Sequence, residues 1–262
     1  MLKRTISALI GAPLLLGFAY LGGPYTAFLV AGLCLLALRE FLGLEKLAGV
    51  PVWYGLGLTG ALIWLVNLFW GHTEWLPAIV VLWLLVYLGR AGLGYPAVTA
   101  GQAGVNFLAW VYAIVLLSHL YLLRLLDGGE KWLFFTFFVV WANDTGAYLV
   151  GRAWGRHPLA PKVSPHKTVE GAIGGLVFSM LTGLASWRWI GHFDWFFFLA
   201  LSLLAAVAGQ VGDLFESALK REAGIKDSGK LIPGHGGILD RFDSLIFALP
   251  IVYYVVQWHL MG

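Results

Sequence analysis

The residues best equipped for chemistry stand between positions 213 and 243. In Gly212-Asp213-Leu214-Phe215-Glu216-Ser217-Ala218-Leu219-Lys220-Arg221, the residues Asp213, Ser217 and Lys220 recur at i, i+4 and i+7. If the apolar run before them continues as a helix, a carboxylate, a hydroxyl and an ammonium share one face. The plainer reading is a solvated helix end with an ordinary ion pair. The stretch from Lys226 to Asp243 contains Gly229, Pro233, Gly234, His235, Gly236 and Gly237. These residues rule out a continuous helix and let backbone amides approach an anion closely. Asp240 and Asp243 then open the last apolar run, one turn apart, where acids also complement a helix dipole.

The combination says more than any single residue. Asp213 ends one apolar run and Asp240 begins the next, so the two can meet at one membrane interface, where hard carboxylate oxygens suit Mg²⁺. Lys220, Arg221, Lys226 and Arg241 stand around them. Carboxylates, a divalent ion and cations together can hold a nucleoside triphosphate and neutralise a departing pyrophosphate.

Upstream, Asn143-Asp144 falls inside another apolar run, where an ionisable residue is a functional hypothesis by default, and Tyr148 at i+4 is its expected hydrogen-bonding neighbour. The following basic loop ends in Ser164-Pro165-His166-Lys167-Thr168-Val169-Glu170-Gly171. His72, His119, His157, His192 and His259 lack acidic or histidine partners at ligand spacing and read as packing or interfacial residues. No GxxxxGK[ST], HExxH or GxSxG element occurs, which argues against a P-loop kinase, a zincin and an elbow-type hydrolase.

The elements that must position these groups are membrane helices. Of the 262 residues, 60% are hydrophobic and only 12% are charged, with a mean hydropathy of +0.80. A soluble globule cannot hide that much apolar surface, and the apolar runs approach the roughly 20 residues that a helix needs to cross a bilayer. Nine spans are expected, at about 5–22, 25–42, 52–70, 75–89, 105–123, 132–151, 171–190, 194–212 and 242–261. With the N-terminus inside, 14 of the 17 Lys and Arg residues fall on the cytoplasmic side, leaving Arg124, Lys131 and Arg188 on the other, which favours N-in and C-out. The fold class is thus all-α, a polytopic transmembrane helix bundle. Residues 1–130 read as a scaffold of about five spans, and residues 131–262 as a catalytic module with cytoplasmic loops 152–170 and 213–241. Trp53, Trp75, Trp132 and Trp195 near span ends read as an interfacial belt. The single cysteine, Cys34, excludes a disulfide or a Cys-based metal site within one chain.

Residues 217–243 closely resemble the motif of the phosphatidate cytidylyltransferases, also called CDP-diacylglycerol synthases. The matching positions are Ser217-x-Leu219-Lys220-Arg221, Lys226-Asp227-x-Gly229, and Ile232-Pro233-x-His235-Gly236-Gly237-Ile238-x-Asp240-Arg241-Phe242-Asp243. Asn143-Asp144 with Ala147-Tyr148, and the run from Ser164 to Gly171, are similar to the family's other blocks, with His166 and Val169 as departures from its commoner Lys and Trp. The resemblance implies transfer of CMP from CTP to phosphatidate, giving CDP-diacylglycerol and pyrophosphate, by a bacterial inner-membrane enzyme whose active site faces the cytoplasm. It implies Mg²⁺ and room for a second cation such as K⁺, a homodimer surrounded by membrane lipid, and no nucleic acid. Carried onto this chain, Asp213 and Asp240 would bind metal, and Lys220 and Asp243 would complete the catalytic set. Asp144, Lys167, Ser217, Arg221, Lys226, His235 and Arg241 would bind substrate. The rivals are a CTP-dependent enzyme with an isoprenoid-type acceptor and a cation-coupled transporter that uses Asp144, Asp213 and Asp240 as an ion path.

Overall fold

Helical segments cover most of each expected apolar run, though not every run is a single helix. The computed structural model describes residues 2–191, 193–229 and 236–261; His192, Lys230 and His235 lie outside them. The chain runs as α1 (Leu2–Leu21), α2 (Gly23–Leu47), α3 (Tyr54–Phe69), α4 (Leu76–Gly94), α5 (Ala100–Trp110), α6 (His119–Leu125), α7 (Gly129–Trp154), α8 (Val169–Ile190), α9 (Trp195–Glu222) and α10 (Leu239–Met261). Six helical stretches among the described residues are long and apolar enough to cross a membrane: 23–47, 73–94, 100–125, 129–154, 169–190 and 195–222.

Two features depart from the expectation of plain α-helical spans. The run at 105–123 is not one α-helix: a π-helix, Val111–Leu116, separates α5 from α6. The loop after α7 folds into a small antiparallel hairpin, β1 (Pro158–Ala160) and β2 (Ser164–Thr168). Pro158, Pro161 and Pro165 deny this stretch a helix, and extended backbone is the conformation they leave. Glu170 closes the hairpin's base by accepting from the backbone amides of Arg156 (3.0 Å) and His157 (3.2 Å), while the His157 ring Nδ1 stands 2.5 Å from its carboxylate. His157 therefore has the acidic partner that its sequence neighbours did not disclose.

Helix ends are set by local chemistry. Asp194 caps α9 by accepting from the Phe197 amide at 2.8 Å, and Thr168 caps α8 by accepting from Gly171 at 3.1 Å. With 28 residues, α9 is about 42 Å long at 1.5 Å per residue, more than the roughly 30 Å of a hydrocarbon core. Its last turns can thus carry Asp213 to Arg221 at the polar edge of the bundle. The interior is aromatic, with Phe41, Trp110, Tyr112, Phe135 and Phe198 almost wholly buried. Trp132 belongs to this core, stacked on Phe198, and not to an exposed belt, whereas Trp75 and Trp195 are exposed. Helix α10 ties the bundle together, touching α2, α6, the π-helix, α7 and α9.

Candidate functional site

The C-terminal end of α7, the hairpin, the start of α8 and the last turns of α9 enclose a cavity of about 370 Å³. Asp144, Tyr148, Arg152, His166, Lys167 and Asp213 supply its charged and titratable lining. Close approach of α7 and α8 makes the cavity possible: a Cβ on Gly175 would stand 2.6 Å from Asn143 Oδ1, and one on Gly171 2.8 Å from the Ala147 carbonyl.

Across the cavity floor, Lys167 Nζ pairs with Asp213 Oδ2 at 2.5 Å. Asp144 is aimed by a short relay. The Gln210 amide on α9 donates to the Asn143 side-chain oxygen (2.8 Å) and to the Ala172 carbonyl (2.9 Å), and Asn143 in turn donates to Asp144 Oδ1 at 3.3 Å. Tyr148 is not the partner of Asp144; its hydroxyl reaches along the helix and accepts from Arg152 at 3.1 Å. The carboxylates of Asp144, Asp213 and Asp243 lie within electrostatic reach of one another, with Arg241 acting on Asp144 from the first turn of α10.

A second group of charges stands where α9 ends and α10 begins. Lys220 Nζ lies 2.5 Å from Glu216 Oε2 and 2.7 Å from Asp240 Oδ1, so two carboxylates share one ammonium. All three are withdrawn from solvent, with side-chain exposures of 14% for Lys220, 0% for Glu216 and 5% for Asp240. The other oxygen of Asp240 accepts from the Ser228 amide, the Ser228 hydroxyl and the Gly237 amide, each at 2.8 Å. The acids expected to share a metal are thus held in two separate pairings, Asp213 with Lys167 and Asp240 with Lys220.

The remaining expected residues are placed as follows. Ser217 is half-buried on α9, one turn beyond Asp213. Arg221 is exposed and donates to the Val163 carbonyl in the hairpin turn at 3.1 Å. Lys226 is exposed in the segment after α9, and Asp243 accepts from the following Ser244 amide at 2.7 Å. His235 falls outside the described residues.

Three side chains escaped the sequence reading. Glu216 stands four residues before Lys220, the spacing of a helical ion pair, so a signal was available. Gln210 was hidden in an apolar run, and only its tertiary contacts reveal it. Tyr112 comes from the π-helix, an element often found at functional sites, and its buried hydroxyl has no protein partner among the described residues. The charges of Asp243, Glu216 and Asp213 all act on it.

Whether this site could hold Mg²⁺ is a matter of donors. Its acids are hard oxygen ligands, and the charges of Asp144, Asp213 and Asp243 act on one another beside Lys167 and Arg241, so a divalent cation would meet the donor type it prefers. Among the described residues no three such side chains stand at ligand spacing, so phosphates and water would have to supply further ligands.

Similarity to known proteins extends along nearly the whole chain. Proteins named phosphatidate cytidylyltransferase are similar to it: one from Staphylococcus epidermidis is 34% identical over 256 residues, covering 95% of this chain and 96% of the relative. The corresponding protein from Staphylococcus haemolyticus is 35% identical over 255 residues, with the same coverage of both chains. One from Staphylococcus aureus is 34% identical over 255 residues. The sequence model of the cytidylyltransferase family matches residues 2–259, all but the extreme ends, and the chain belongs to that family.

Proposed function

We propose that this chain is a phosphatidate cytidylyltransferase, transferring CMP from CTP to phosphatidate to give CDP-diacylglycerol and pyrophosphate. The observation that carries the reading is a family match over residues 2–259 in a chain whose apolar bundle opens into a cavity lined by Asp144, Lys167 and Asp213. A lipid phosphate oxygen attacks the α-phosphorus of CTP; the new P–O bond forms as the bond to pyrophosphate breaks. The attacking oxygen is already ionised near neutral pH, so positioning and charge neutralisation supply most of the rate, and no strong base is needed.

Within this reading, Lys167, Arg221, Lys226, Arg241 and His235 meet the triphosphate and the lipid phosphate, Ser217 donates to a phosphate oxygen, and Asp144 orients the nucleotide. Asp213, with Asp144 and Asp243 within its electrostatic reach, would hold Mg²⁺ with a second cation such as K⁺ nearby; Asp240, expected as its partner ligand, has both oxygens taken by Lys220, Ser228 and Gly237. When bound, Mg²⁺ would neutralise charge on the departing pyrophosphate. Lys220 keeps Asp240 ionised and fixed. The protein crosses a bacterial inner membrane nine times, N-in and C-out, as a homodimer, so that CTP arrives from the cytoplasm and the lipid enters sideways at the same interface.

The test is a transfer assay on purified full-length protein with CTP labelled at the α-phosphate. Label is expected in a lipid product only when both phosphatidate and Mg²⁺ are present, and Asp240→Ala is expected to lower turnover by about 100-fold or more. Faster labelling of an isoprenoid acceptor would reassign the lipid substrate. Cation flux in proteoliposomes without nucleotide, together with no transfer, would replace the enzyme with a transporter.

A further inference from the structure

We infer that Glu40, on α2 in the N-terminal half, is a positioning residue for the transfer site: it anchors the backbone around Asp240 from a helix that does not line the cavity. The inference rests on the cytidylyl transfer proposed above.

Three successive amides lead into the first turn of α10, and all three end on carboxylates. Gly237 N–H donates to Asp240 Oδ2 at 2.8 Å, Ile238 N–H to Glu40 Oε1 at 3.0 Å, and Leu239 N–H to Glu40 Oε2 at 2.9 Å. The start of a helix needs acceptors for such amides, and a residue of its own usually supplies them. Here the local acid, Asp240, is already committed to Lys220, Ser228 and Gly237, so the cap comes from 199 residues away. The Ser228 hydroxyl lies between the two acids, 2.8 Å from Asp240 Oδ2 and 3.3 Å from Glu40 Oε2.

The fit is close enough to dictate glycines. A Cβ on Gly229 would stand 2.7 Å from Glu40 Oε1, and one on Gly237 would overlap both Glu40 Oε2 and Ser228 Oγ. Glu40 thus works beyond general stability. Helix α10 is already seated by the buried side chains of Leu239, Leu245, Ile246 and Leu249. What Glu40 adds is the placement of the backbone on either side of Asp240, and through it the Asp240–Lys220–Glu216 group.

The experiment compares Glu40→Ala, Glu40→Gln and Glu40→Asp with wild type, as full-length protein in detergent. Amide exchange at Ile238 and Leu239, the melting temperature, kcat, and the KM values for CTP and lipid are measured. Alanine and glutamine are expected to speed exchange at these two amides at least tenfold and to lower kcat at least tenfold, with lipid KM unchanged and only the small fall in melting temperature that loss of a helix cap brings. Glutamine fails because it offers one acceptor and one donor where two amides need two acceptors. Aspartate, one methylene shorter, should restore part of both. Unchanged exchange, wild-type kcat in Glu40→Ala, or a loss of kcat matched by a larger fall in melting temperature would each overturn the inference. If wild-type protein transfers no CMP, the proposed function falls, while the exchange data still decide whether Glu40 holds this segment.

Discussion

At the scale of single residues, Lys220 is the side chain whose loss the site can least absorb. Its ammonium answers Glu216 and Asp240 together, and both acids are nearly excluded from water. Removing one partner of a buried ion pair leaves an uncompensated charge and costs about 3–5 kcal/mol, whereas replacing the charges by apolar or neutral groups of similar shape is far milder. Lys220→Ala should therefore lower the melting temperature sharply in detergent. The double change Glu216→Gln with Lys220→Met should recover the part of that loss due to Glu216, without recovering CMP transfer, because Asp240 still lacks its cation. Equal melting temperatures for Lys220→Ala and the double variant would show that the pair is not coupled as its geometry requires. Lys220 and Asp240 could be picked out from residue types and spacing; Glu216 could be paired with Lys220 from helical spacing but not placed against Asp240, because that contact joins two different helices.

At the scale of elements, α8 is a helix chosen for thinness. Gly171, Gly174 and Gly175 face α7, and Gly183 faces α9, where an added methyl would overlap Ser202 Oγ. Small residues on a membrane helix let backbones approach, which is how helices gain packing where lipid is as apolar as leucine. At Gly175 a Cβ would stand 2.6 Å from Asn143 Oδ1, the oxygen that accepts from Gln210. Gly175→Ala is thus expected to break the relay that aims Asp144 and to lower turnover about tenfold or more, as small misplacements of reacting groups do. Gly32→Ala is the control, since nothing stands within 4 Å of its added methyl and alanine favours a helix. A Gly175→Ala enzyme with normal turnover would remove Asn143 and Gln210 from the account of the site. The apolar runs made the helices readable, since length and hydropathy alone decide them. The hairpin was not, because a short polar loop carries no periodicity, and its order comes from Glu170, which lies outside it. The π-helix was hidden for the opposite reason: it interrupts a run whose hydropathy never falters.

At the scale of the whole molecule, the two ends of the bundle are chemically unlike. Arg152, Lys167, Lys220, Arg221 and Lys226 gather where α7 and α9 end and α8 begins. Arg124, Lys131 and Arg188 lie toward the opposite end, the first of them fastened to the end of α1 through the Ala19 carbonyl at 2.7 Å and to Glu130 at 3.5 Å. Positive charge near membrane helices is retained on the cytoplasmic side, so the end that holds the cavity should face the cytoplasm. Cys34 is buried, and replacing it with alanine gives a background without thiols. In that background Lys162→Cys, exposed in the hairpin turn, and Asp127→Cys, exposed before α7, mark the two ends. A membrane-impermeant maleimide added to intact inner-membrane spheroplasts should label the Asp127→Cys protein and spare the Lys162→Cys protein, and inside-out vesicles should reverse the pattern. Labelling of Lys162→Cys from outside would place the cavity beyond the reach of cytoplasmic CTP. The site would then need another nucleotide source or another function, whatever the merit of its individual contacts.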